Sequence, residues 1–121
     1  MREFSFEKLI VYNQARTLVK DVYLLLNGFP NTEKFALCDQ IRRAVVSVPS
    51  NIAEQSGRTS KKEKIHFLEI AYGSLMETYC QLQIAADLKY ISEEQLASLK
   101  DKFFEISRMI NGLSNSFKDE K

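Results

Sequence analysis

The sequence predicts an all-α protein, an up-down-up-down antiparallel four-helix bundle. Three observations carry that expectation. Apolar residues recur at alternating gaps of three and four along four segments, which is helical spacing. The segments are parted by short breaks such as Asn27-Gly28-Phe29-Pro30 and Ser56-Gly57-Arg58-Thr59. No segment alternates apolar and polar residues long enough to read as a strand. Short connections return each helix beside the last, so neighbours run antiparallel.

The first helix is predicted from about Phe6 to Leu26. Val11, Ala15, Leu18, Val22 and Leu25 form one stripe, with Tyr12, Val19, Tyr23 and Leu26 beside it. Gly28 is expected to cap its end and Pro30 to block continuation. The second helix is predicted from Asn31 or Thr32 to about Gln55, on the stripe Cys38, Ile41, Val45, Val48 and Ile52. The third carries Ile65, Leu68, Tyr72, Leu75, Tyr79, Leu82 and Ala86, with Ser60 and Glu63 as a capping box. A second set, Ile70, Gly73, Cys80, Ile84 and Leu88, lies beside the first, and Ala71, Ser74, Thr78 and Ala85 make a flank of small side chains. The fourth follows a Ser92/Gln95 capping box with a heptad stripe of Leu96, Leu99, Phe103, Ile106, Ile110, Leu113 and Phe117. Phe104 and Met109 fall outside that stripe.

The second helix breaks a rule. Pro49 stands inside the stripe, although an interior proline removes one backbone hydrogen bond and costs ~3 kcal/mol or more. Ser47, Ser50 and Asn51 are residue types that can bond the freed backbone groups.

A chain of 121 residues fits one domain, residues 1–121, long enough for a core without staples. Its 17 basic and 16 acidic side chains leave a formal charge of +1, so nucleic-acid binding must come from a local patch. No stretch is apolar enough to span a bilayer, and Met1–Glu7 lacks a signal-peptide core. Cys38 and Cys80 both fall in helical patterns, which predicts reduced, buried thiols and a cytoplasmic location.

A bundle needs one inward stripe per helix. The extra stripes on the first and third helices therefore predict self-association, against the competing explanation of a wider seam inside one subunit.

Few constellations suggest chemistry. Glu63 and His66 match one Glu-x-x-His motif, but a di-metal carboxylate site needs two and the chain has one histidine, so no metal or cofactor is expected. No glycine-rich phosphate loop or Cys-His metal spacing is present. Arg58, Lys61, Lys62 and Lys64 crowd the start of the third helix, where cations oppose the helix dipole. A bound phosphate, as in RNA, would reverse that penalty; a salt-screened lysine cluster is the competing explanation. Gln40, Arg43, Ser47, Asn51 and Glu54 form a polar stripe that passes Pro49, with Ser74, Glu77 and Gln81 as candidate partners on the third helix. The stripe suits either a small-ligand pocket or a satisfied network that sets helix register. Acid-base chemistry by Glu54 and Glu77 is conceivable, but nothing specifies a substrate.

The run Gln40-Ile41-Arg42-Arg43-Ala44, then Ser47-Val48-Pro49-Ser50-Asn51-Ile52-Ala53-Glu54, resembles the signature of the 23S rRNA intervening-sequence protein family. The likeness continues through Gly57-Arg58, Phe67-Leu68-x-Ile70-Ala71-x-Gly73-Ser74-Leu75-x-Glu77, and Arg108-Met109-Ile110-x-Gly112-Leu113. It extends to Phe4, Leu9 and Phe29-Pro30 and so covers nearly the whole chain. Gln55 stands where the family usually has glycine, so the second helix is expected to run slightly further, toward Gly57. The resemblance implies a left-handed bundle and a ring-shaped homopentamer, as in the related accessory protein of diversity-generating retroelements. That relative binds its reverse transcriptase and nucleic acid. No enzymatic activity follows from the resemblance. The combined expectation is a non-enzymatic homo-oligomer, an adaptor or scaffold for RNA or a nucleic-acid-processing protein. The alternative is a small-ligand protein using the polar stripe.

Overall fold

The computed structural model describes residues 2–118. Its helices are α1 (Ile10–Leu26), α2 (Leu37–Ser56), α3 (Lys61–Asp87) and α4 (Glu93–Ser116), with no strand among the described residues. Each helix packs beside the next in the chain, and α4 closes the set against α1, so α1 and α3 stand at opposite corners. Cross-links fix the directions of α2, α3 and α4. Lys64 at the start of α3 reaches Gln55 near the end of α2, while Ser47 and Ser74 meet midway. Tyr79 packs on Phe103 and Lys64 lies over Phe117, so α4 runs back along α3. The core is drawn from the predicted stripes: Leu18, Ile41, Val45, Val48, Ile52, Leu68, Leu75, Leu82 and Ile106 are sealed from solvent, while Leu25, Ile65, Tyr72, Tyr79, Leu113 and Phe117 are half-buried.

The helix starts differ from the sequence reading. Residues Ser5–Lys8 form a separate 3-10 turn, and Leu9 is extended (φ −75°, ψ 126°) before α1 begins at Ile10. The second helix begins at Leu37, not at Asn31 or Thr32. Residues 31–33 make a 3-10 turn, and Ala36 adopts φ −120°, ψ −100°, which no helix continues through. The Glu33 carboxylate accepts from the Leu37 amide (3.3 Å) and from the Tyr90 hydroxyl (2.8 Å), holding that turn against the α3–α4 connection. This bond to Glu33, more than burial, pushes the Tyr90 hydroxyl above its ordinary pKa.

The helix ends also hold a correction. Gly28 has no positive φ; the chain leaves α1 through i→i+3 bonds from Asn27, Gly28 and Phe29. The left-handed cap lies at the end of α3, on Lys89 (φ 67°). Lys89 donates to Ala86 and Tyr90 donates to Ala85, which is the Schellman pattern. A side chain in that region costs ~1 kcal/mol that glycine avoids. Lys89→Gly should therefore raise stability by ~1 kcal/mol and the melting midpoint by a few degrees. A denaturant midpoint at or below that of the parent would contradict this. As expected from Gln55, α2 runs on to Ser56 and meets Gly57 as its cap. The Ser92/Gln95 capping box is complete, while at Ser60 only the hydroxyl bond from the Glu63 amide forms.

Candidate functional site

Along α2 the polar stripe divides into parts with different roles. Gln40 and Arg43 are exposed. Its neighbour Arg42 is the tethered arginine, donating to the Lys34 carbonyl (2.9 Å) and pairing with Asp39 (2.8 Å). Ser47 and Asn51 are half-buried and bonded. The Asn51 amide donates to the Ser47 carbonyl (2.8 Å) and hydroxyl (2.9 Å), and the Ser47 and Ser74 hydroxyls bond each other at 2.8 Å. Thr78 then donates to the Ser74 carbonyl (2.8 Å). This chain of bonds crosses the α2–α3 seam within one turn of the buried Pro49. Asn51 serves Ser47 and not Val45, whose carbonyl loses its usual donor to the proline ring. Ser50, also expected to help, is exposed. The small flank of α3 (Ala71, Ser74, Thr78, Ala85) is buried throughout, and residues that small let two backbones come close. Glu77 is exposed and accepts from the Gln81 amide (3.2 Å), and Glu54 is exposed and paired with Arg58. The carboxylates thus lie on different helices with separate partners, and the bonded middle of the stripe ties α2 to α3.

At the α2–α3 turn the basic cluster also divides. The Arg58 guanidinium pairs with Glu54 and lies 4.5 Å from the centre of the Phe67 ring. Lys64 donates to the Gln55 carbonyl (3.1 Å) and sits 5.7 Å from the Phe117 ring centre. Those two cations fasten the turn and the end of α4. Lys61 and Lys62 are exposed and make no ion pair among the described residues. The aromatic partners Phe67 and Phe117 carried no signal in a reading of charge alone.

His66 is exposed, edge-on to Phe67 at 5.3 Å. Among the described residues no three His, Cys, Asp or Glu side chains converge as a metal site would require. The cysteines correct the sequence reading in part: Cys38 is buried, and burial pushes its thiol above the usual range, but Cys80 is exposed. No helix is long and apolar enough to cross a membrane among the described residues.

The surplus apolar residues face outward. Ile70, Gly73, Cys80 and Ile84 of α3 and its C-cap residue Leu88 are all exposed and share one face with Glu77. Between Lys64 and Lys89 the charged residues of α3 are Glu69, Glu77 and Asp87, all acidic. On α1 the second stripe is split: Leu26 turns into the core, Tyr12 and Val19 are half-buried, and Tyr23 is exposed with Leu24. The α1 surface around Val19, Tyr23 and Leu24 carries Arg16 and Lys20.

Comparison with known proteins agrees with this architecture. A solved structure from Bacteroides thetaiotaomicron VPI-5482, described as a protein with unknown function from the S23 ribosomal protein family, superposes with a TM-score of 0.79. It is 24% identical, and the match covers 88% of this chain and 96% of that one, a likeness of fold. None of the curated proteins matches the sequence. The family model of the 23S rRNA-intervening sequence protein matches residues 7–112, from the first turn to the last turns of α4. The chain therefore belongs to the 23S rRNA-intervening sequence protein family.

Proposed function

We propose that the protein acts by assembly and binding and not by catalysis. Copies join through the outer faces of α1 and α3, and the assembly serves as an adaptor for RNA or a nucleic-acid-processing protein. The observation that supports this most is the exposed apolar face of α3. An exposed apolar face of this kind marks an interaction surface. The charges fit a pairing between unlike faces, since α3 offers Glu69, Glu77 and Asp87 while α1 offers Arg16 and Lys20. Because α1 and α3 stand at opposite corners, a two-fold dimer through one patch leaves the other uncovered. Contact of α1 on α3 repeats head to tail and closes into a ring when the rotation allows. The family resemblance supports closure, with five copies as the expected number. Each copy would then present Lys61 and Lys62, so a weak polyanion contact is multiplied around the assembly.

Light scattering at micromolar concentration should give a mass at least twice 14.0 kDa, a whole-number multiple of it. Ile84→Glu should lower that mass with helicity unchanged. Alkylation of Cys80 should be slow in the parent assembly and fast in Ile84→Glu, with Cys38 slow in both. A parent protein of monomer mass rejects the reading. Reversing the charge of Lys61 and Lys62 should weaken RNA binding and flatten its salt dependence; unchanged affinity at low salt removes RNA from the proposal.

A further inference from the structure

We propose that the cleft between α3 and α4 binds a small aromatic carboxylate. Its walls are Tyr72, Met76, Tyr79, Phe103 and Phe104, with Lys100 at the rim, and its volume is ≈ 180 Å³. A cavity of about 150 Å³ lined by apolar side chains holds one benzene ring. This cleft therefore has room for one ring, and its open side leaves space for a short acidic arm. The floor is fixed, because Tyr79 and Phe103 pack edge to face with centroids 5.1 Å apart. The outer wall is adjustable: Phe104 is 61% exposed and Met76 41%, so both can move over a ligand ring. An aromatic ligand gains edge or offset contacts with such rings beyond its buried area.

The polar groups select the second half of the ligand. Lys100 is the sole charged residue of the lining and has no ion-pair partner among the described residues. No carboxylate lines the cleft to compete for it. The hydroxyls of Tyr72 and Tyr79 make no hydrogen bond to another described residue, whereas the Ser107 hydroxyl, also in the lining, already donates to the Phe104 carbonyl (2.7 Å). One ammonium beside an apolar, aromatic slot suits one carboxylate on one ring. The polar stripe of α2 takes no part, and the proposal does not depend on assembly through α1 and α3.

The test is an NMR-detected titration of the full-length protein with phenylacetate, and with phenylacetamide as its uncharged counterpart. Saturable shifts are expected at the Met76 methyl and the Phe104 ring, with a millimolar or tighter Kd, the affinity a ligand of about ten heavy atoms reaches. Phenylacetate should bind better than the amide at low salt. Lys100→Met should abolish that preference and weaken phenylacetate by roughly threefold or more. Phe104→Ala, at an exposed position, should weaken both ligands without unfolding the protein. Equal binding of acid and amide, or no saturation at ten times the expected Kd, overturns the proposal. So does a fall in particle mass for Phe104→Ala with no ligand binding by the parent, which assigns the cleft to a contact between copies. Light scattering on the same samples keeps the two readings apart: a monomer that binds phenylacetate defeats assembly and leaves the ligand site standing.

Discussion

Leu75→Ala is expected to destabilise the fold by ~2–5 kcal/mol, the range for deleting a buried leucine side chain. Leu75 lies midway along α3 with 0% of its surface exposed, among stripe residues from the other helices. Truncation removes the apolar transfer contribution and leaves a cavity that rigid helices close only partly. Urea unfolding should show a lower midpoint at an unchanged slope, since the area exposed on unfolding hardly changes. Ile84, on the same helix but 43% exposed, provides the contrast. Measured on dissociated subunits, its truncation to alanine should leave the fold within about 0.5 kcal/mol of the parent, as at other surface positions. If Leu75→Ala cost less than Ile84→Ala, the assignment of inner and outer faces would be wrong.

The second large effect is expected from Ser74→Leu, at ~3 kcal/mol. Ser74 is buried where α2 and α3 meet, and its hydroxyl is 2.8 Å from that of Ser47. Leucine has no room in a seam built from Ala71, Thr78 and Ala85, and overpacking of this kind costs ~1–3 kcal/mol. It also removes one bond of the Ser47 hydroxyl, which keeps the Asn51 amide as its other partner, and a lost hydrogen bond costs ~1 kcal/mol more. Ser74→Ala separates the two terms: it loses the bond without adding bulk and should cost ~1 kcal/mol. Thermal or urea unfolding of both variants measures the difference. Equal stabilities would show that the seam has slack and that its small residues do not set the helix spacing.

The stripes were readable because burial follows from spacing alone. Leu96, Leu99, Phe103, Ile106 and Ile110 are buried as their gaps of three and four require. What could not be read depends on contacts remote in the chain. The late start of α2 is held by Glu33 through Tyr90, 57 positions away, and no local pattern reports that bond. Gly28 reads locally as the cap of the first helix, yet a tightened last turn ends that helix without a positive φ, and Lys89 takes the left-handed conformation at another end. The basic cluster was visible as charge, but its division was not. Arg58 and Lys64 are engaged by Phe67 and Phe117, and only the folded chain brings Phe117 to the start of α3. The polar stripe was legible as a periodic row; that its centre faces Ser74 while Gln40 and Arg43 face solvent is a property of the helix pair.

Glu33 gives one end of the molecule an unusual economy. A single carboxylate holds the first amide of α2 with one oxygen and the hydroxyl of Tyr90 with the other. Breathing at one loop thereby strips a contact from its neighbour as well. The two connections there, distant in sequence, loosen as a pair, and that end of the bundle frays as one cooperative unit.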